Sequence, residues 1–166
     1  MIVVINGQRI VNAFEIVDNY VFKIKNDFIK LIIKRKMSTT QLQPNNFQKA
    51  TIDLLKEGKS VYLVGKARSG KSSVVNMVNK IYTNVVDISN NIPEFFNYTT
   101  LYIHDGFDVR QFDDFDVPNF FLIITNDKEG LMNYFEKDIT MGKVNVVSEK
   151  NNYDTSKVKD IAIVCC

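Results

Sequence analysis

The stretch Val61-Tyr62-Leu63-Val64-Gly65-Lys66-Ala67-Arg68-Ser69-Gly70-Lys71-Ser72 runs from four apolar residues into a glycine-bounded loop, and Ser73 to Tyr82 then continues as an amphipathic segment. Residues 65–72 fit the pattern G-x-x-x-x-G-K-[ST] at every fixed position. Each fixed position has a physical reason. The glycines allow backbone angles that turn successive N–H groups inward, forming a nest for phosphate oxygens. The spacing of Val74, Val75, Val78 and Ile81 predicts a helix over 71–82 with those residues inward. Its free N–H groups and dipole would face the same anion. Lys71 is expected to reach the β and γ phosphates, and the Ser72 hydroxyl to complete a Mg²⁺ shell. With glycine near 7% of ordinary chains, a chance match is on the order of one in a hundred. The strand-loop-helix context makes it rarer, so Gly65, Lys66, Ala67, Arg68, Ser69, Gly70, Lys71, Ser72 and Ser73 are taken as the phosphate-binding residues.

Outward from this loop the chain alternates strand and helix. Phe47, Ala50, Ile52, Leu54 and Leu55 predict an amphipathic helix that starts at Pro44-Asn45 and is stopped by Gly58. Val61–Val64, Val85–Ile88, Leu101–Ile103, Phe120–Thr125 and Ile161–Val164 form the candidate strand set. Short, nearly continuous apolar runs are what a parallel sheet covered on both faces requires. Two of these strands end in residues suited to the same chemistry. Leu101-Tyr102-Ile103-His104 leads to Asp105, a carboxylate expected to bridge to Mg²⁺ through water. Phe120 to Ile124 leads to Thr125-Asn126, where Asn126 is expected to hold an attacking water. Gly106 stands where a catalytic Glu often follows such an Asp, so three readings remain open: Asp105 is itself the base with His104 on the metal side, Asp108 reaches in, or hydrolysis is slow. His104, the one histidine, is either a base or a strand-end residue.

Residues 1–36 differ in texture. Ile2–Ile5 is followed by Asn6-Gly7, a hairpin signal, and Ile10–Val17 and Tyr20–Lys25 also end at polar turn pairs. A small antiparallel β appendage over 1–40 is expected, ahead of a main domain over 41–166. Seven Lys/Arg against three Asp/Glu in residues 1–36 make that front end basic, while the whole chain carries only +2. Such a face suits either solvent or an anionic polymer. The composition, 45% hydrophobic and 24% charged over 166 residues, is that of a globular chain. No apolar run of about 18 residues exists to cross a bilayer, and MIVVINGQRI lacks the features of a signal peptide. A cytoplasmic setting without membrane contact is therefore expected. Cys165 and Cys166 stand together after Ile161–Val164 and offer neither a staple nor a metal-ligand spacing. Their position does not fit a C-a-a-X tail, since Ile163 stands where that Cys would be, and they read as a strand end.

Taken together, the phosphate loop, strand-Asp105 and strand-Thr125-Asn126 resemble the core of P-loop NTPases of the superfamily-3 helicase and AAA+ kind, most of all the ATPase half of small-virus replication proteins. The resemblance spans residues 60–147. It implies an α/β fold, a P-loop NTPase three-layer sandwich with a mostly parallel sheet, and a viral source. By the same resemblance Lys71, Asp105 and Asn126 are catalytic, with Asn126 in the sensor position, and Ser72 and Asp105 serve the metal. Gln48 resembles the adenine-reading Gln of Pif1-type superfamily-1 helicases, which implies ATP as the nucleotide. The chain departs from these families in three respects. The 105–120 segment is short and acidic where a basic DNA-tracking hairpin is expected. No arginine follows Arg110, so an arginine finger would come from a neighbouring copy or partner, or be replaced by Lys137 or Lys143. Residues 1–36 lack the His-x-His and Tyr motifs of viral nucleases.

The expected function is Mg²⁺-dependent binding and hydrolysis of ATP, coupled to remodelling or packaging of nucleic acid by a helicase-like homo-oligomer. The alternative is a nucleotide-binding accessory or switch module with weak or no hydrolysis. A nucleotide kinase fits less well, because an arginine-rich lid cannot be built from Arg9, Arg35, Arg68 and Arg110.

Overall fold

The computed structural model describes residues 3–5, 8–10 and 43–166. Two compact units divide the chain, 1–43 and 44–166. In the first, strands β1 (Val3–Ile5) and β2 (Gln8–Ile10) pair antiparallel with Ile5 opposite Gln8. The second strand thus begins at Gln8, two residues before the predicted start. The rest of the expected appendage lies outside the described residues.

The second unit is an α/β fold on a six-stranded sheet whose pairings are all parallel. Helix α1 (Asn46–Lys56) comes first, then β3 (Ser60–Val64), α2 (Lys71–Ile81), β4 (Val85–Asp87), β5 (Leu101–Asp105) and β6 (Phe121–Thr125). The short helices α3 (Lys128–Tyr134) and α4 (Glu136–Thr140), strand β7 (Val144–Val147) and strand β8 (Ile161–Cys165) complete it. The order across the sheet is β4-β5-β6-β3-β8-β7. After β3 the chain travels to one edge, returns to lie beside β3 as β6, and then crosses to the other side. A crevice forms beyond the carboxyl ends of strands where such a reversal occurs, and that is where open α/β sheets bind ligands.

Alternate residues explain why the strands read as unbroken apolar runs. Val61, Leu63, Leu101, Ile103, Leu122, Ile124, Ala162 and Val164 pack on one face against Phe47, Leu54 and Leu55 of α1 and Val74 and Val78 of α2. Tyr62, Val64, Tyr102, Phe121, Ile123 and Ile163 pack on the other against Leu131 of α3 and Phe135, which joins α3 to α4. Phe112, from the 3₁₀ helix Val109–Asp114, joins that second cluster. Both faces are therefore covered, giving three layers with two separate cores.

Helix α1 starts as its sequence suggests. Asn45 Oδ1 accepts from Gln48 N at 3.1 Å and Gln48 Oε1 accepts from Asn45 N at 3.0 Å, a reciprocal capping box. Helix α2 buries Val74 and Val78, but Ile81 in its last turn is exposed rather than inward. Strand β7 was not among the predicted strands. Its two middle residues are only half buried at the sheet edge, so its apolar signal is diluted.

Candidate functional site

Three carboxyl-end loops converge on one hollow. Strand register sets their heights: Val64 lies beside Thr125, and Asp105 beside Ile124. Ile124 belongs to the α1/α2 face, so Asp105 shares that face, and Asn126, two residues beyond Ile124, follows the same alternation. The resulting hollow has a volume of about 430 Å³. Lys71, Ser72, Asp105 and Asn126 line it, together with Ala67, Arg68, Gly70 and Ser73 from the loop and first helical turn. Gly106, Ile124 and Thr125 complete its lining.

The loop itself is shaped by backbone and by Lys71. Gly70 takes φ +95° immediately before α2, in the left-handed region that favours glycine. Arg68 at the tip is also left-handed, at φ 62°, a conformation costing a side-chain-bearing residue roughly 1 kcal/mol. The amides of Ala67, Arg68 and Gly70 meet no protein acceptor among the described residues. Gly65 needs to be glycine for a reason of space. A Cβ there would come within 2.7 Å of Cys166 Cβ, because Cys166 N donates to Val64 O and folds the end of β8 against the loop.

Lys71 is only 6% exposed. Its ammonium donates to Gly65 O at 2.8 Å, to Lys66 O, and to Ser69 Oγ at 3.2 Å. All three contacts are to uncharged oxygens. Among the described residues no carboxylate forms an ion pair with it. A buried ammonium without a counter-charge is costly, and this one stands on the wall of a hollow open to solvent.

The remaining predicted residues fall into two groups. Lys66, Ser69 and Gly65 shape the loop from behind without lining the hollow. Gln48 sits against the loop as well, its Nε2 donating to Gly70 O at 2.9 Å. Since its Oε1 is held in the capping box, both ends of the amide are engaged by the chain itself, and the geometry makes Gln48 a brace on the loop. Asp108 is tied to Arg110 by three side-chain hydrogen bonds of 2.7–3.2 Å and does not line the hollow. His104 lies on the opposite face of the sheet, edge-on to Phe107 at 5.1 Å. Burial pushes its imidazole below the ordinary 6.5, with Asp87 and Asp105 pulling the other way.

No family model, curated protein or solved structure matches this chain. The site stands on its own geometry. A Mg²⁺ ion bound with a polyphosphate needs few protein ligands, since it keeps several waters and takes phosphate oxygens. One hydroxyl, from Ser72, and one carboxylate, from Asp105, face the same hollow and fit that requirement. An all-protein metal cage is a different matter: among the described residues no group of three or more His, Cys, Asp or Glu is placed to hold an ion. No helix among them is long and apolar enough to cross a membrane.

Two contributors escaped the sequence reading. The Thr125 hydroxyl accepts from Asp127 N at 3.3 Å, which turns the chain directly after β6. Ser89 accepts from the backbone N of Asp105 at 2.9 Å. The Asp87-x-Ser89 spacing is a recognisable turn signal, but nothing in it names Asp105 as the third partner.

Another hollow, of about 520 Å³, lies between α1 and residues 149–155. It is larger, yet it holds none of the predicted site residues. Lys49 on its wall is already paired with Asp53 at 2.7 Å. Size alone is a weaker guide than the convergence of an ammonium, a hydroxyl and a carboxylate.

Proposed function

We propose that this chain is a P-loop NTPase that binds Mg²⁺ with a nucleoside triphosphate, ATP, and hydrolyses it. The observation that carries the reading is Lys71, a buried ammonium with no carboxylate partner among the described residues, beside amides that meet no protein acceptor. A polyphosphate supplies what both lack: negative charge for the ammonium and acceptors for the N–H groups.

In this reading the phosphates lie over the loop at the start of α2. Lys71 gives up part of its bonding to the loop oxygens to hold the β and γ phosphates. Ser72 and Asp105 would hold the metal, which would supply charge neutralisation for phosphoryl transfer. Asn126 orients the attacking water from the neighbouring strand end. Asp105 is the one carboxylate among the residues lining the hollow, and Gly106 follows it. That scarcity of bases favours a second reading, in which the chain binds the nucleotide as a switch and turns it over slowly.

Coupling to nucleic acid, in the manner of a helicase or packaging motor, is the proposed use of the energy. Its support is the sequence resemblance and the basic stretch 1–36. The test is a phosphate-release assay on the full chain, with and without single-stranded and duplex nucleic acid, beside a mass measurement. Turnover stimulated by nucleic acid in a self-associated form supports the motor. Tight ATP binding with negligible turnover supports the switch. Absence of both binding and turnover overturns the proposal.

A further inference from the structure

The β4–β5 ladder gives out just where Asp105 begins. Ile88 N still donates to Ile103 O at 2.8 Å, one residue beyond the end of β4. At the next position the acceptor for Asp105 N is a side chain, the hydroxyl of Ser89, at 2.9 Å. That hydroxyl is itself oriented. Asp87 Oδ1 accepts from Ser89 Oγ at 2.6 Å and from Ser89 N at 2.9 Å, closing a tight turn around the carboxylate. With its proton committed to Asp87, Ser89 Oγ presents lone pairs to the Asp105 amide. These bonds hold the Asp87 carboxyl below its ordinary range, so the acceptor remains ionised at neutral pH.

On the other side of Asp105 the chain departs at once. Gly106 takes φ +87°, and the amides of Gly106 and Phe107 both donate to Ile124 O, at 3.0 and 2.8 Å. Asp105 is therefore fixed through its own amide to β4's turn and through the next two amides to β6. Only the first of these fixings depends on a side chain. We propose that Ser89, oriented by Asp87, is a positioning residue that sets Asp105 for its metal-side task across the hollow from Ser72. This rests on the nucleotide reading given above, and adds to it a residue outside the loop and outside the hollow's wall.

The effect should be read in the metal and not in the nucleotide. A hydrogen bond of this kind contributes on the order of 1 kcal/mol, which corresponds to about a fivefold to tenfold change in an equilibrium or rate constant. The experiment titrates Mg²⁺ into full chain with a fluorescent ATP analogue, for the parent and for Ser89→Ala, Ser89→Thr and Lys71→Ala. Expected is a roughly fivefold to tenfold rise in the Mg²⁺ needed by Ser89→Ala, with metal-free affinity for the analogue unchanged. Ser89→Thr keeps the hydroxyl and should restore the parent's Mg²⁺ requirement. Parent-like Mg²⁺ dependence in Ser89→Ala, while Lys71→Ala loses the analogue, overturns the positioning role and leaves the nucleotide site standing. Equal weakening of both metal-free and metal-dependent binding in Ser89→Ala, unrescued by Thr, assigns Ser89 to general folding and also overturns it. Undiminished analogue binding by Lys71→Ala removes the nucleotide reading, and this proposal with it.

Discussion

The two faces of the sheet at its carboxyl end carry opposite chemistry. On the α1/α2 face, Lys71 is buried as an ammonium among neutral oxygens, beside a hollow that also takes Ser72 and Asp105. On the other face, His104 is just as buried, at 8% exposure against 6% for Lys71, but it is packed edge-on to Phe107 and Phe115. Its Nδ1 has no hydrogen-bond partner among the described residues, and burial holds the ring towards its neutral form. One strand, β5, supplies a residue to each face: His104 to the aromatic cluster and Asp105 to the hollow. Buried polarity alone therefore does not mark a site. What marks one is a charge kept without a counter-charge where a ligand can reach it.

If the aromatic face serves stability, damage there should be large and confined to stability. Phe112 is 5% exposed, with ring centroids 4.3 Å from Tyr134, 4.8 Å from Phe107 and 5.4 Å from Phe135. Phe112→Ala is expected to cost about 3–5 kcal/mol in denaturant unfolding, with nucleotide affinity retained below the new midpoint. Lost affinity in the still-folded variant would break the division of labour between the faces.

Asp105→Asn sharpens the comparison from within β5. The amide keeps size and strand geometry but removes the charge facing the proposed metal position. Turnover should fall by roughly a hundredfold, about 2.7 kcal/mol of barrier, while nucleotide affinity in the absence of metal changes little. An unchanged turnover rate would remove Asp105 from the metal side.

A smaller effect is expected at Gln48, which joins the α1 capping box to the Gly70 carbonyl. Gln48→Leu should lower stability by about 1–2 kcal/mol and weaken nucleotides generally, as a loosened loop would. Selective loss of adenine over guanine nucleotides in that variant would show instead that the amide reads the base.

The smallest effect is a pH dependence. Because the His104 pKa is lowered in the folded chain, the unfolded chain binds the proton more readily. Stability from this residue is thus present above the ordinary 6.5 and lost as pH falls below it. Melting temperature should drop between about pH 7 and 5 more steeply in the parent than in His104→Phe. Parallel pH profiles would show that His104 is not buried in its neutral form.

Much of this arrangement was legible in the residues, and the reason differs by element. Strands β3, β5, β6 and β8 could be read because both faces are covered, so their central positions form nearly continuous apolar runs. The start of α1 could be read from Pro44-Asn45, and the loop from its fixed glycines and lysine. Strand β7 escaped because its edge position leaves Asn145 and Val146 only half buried. Helices α3 and α4, seven and five residues long, are too short to show a period. The hold on Asp105 was invisible for another reason. Ser89 and Asp105 are sixteen residues apart, and only strand order brings a turn hydroxyl under that amide. Likewise, the need for glycine at 65 comes from Cys166, a residue far away in sequence.

The most direct measurement is calorimetric titration of Mg²⁺·ATP into the full chain and into Lys71→Ala, at fixed pH and salt. Measurable binding by the parent, weakened at least about a hundredfold (about 2.7 kcal/mol) in the variant, is the expected result. Equal affinity in the two would contradict the claim that the buried ammonium of Lys71 is held for a phosphate.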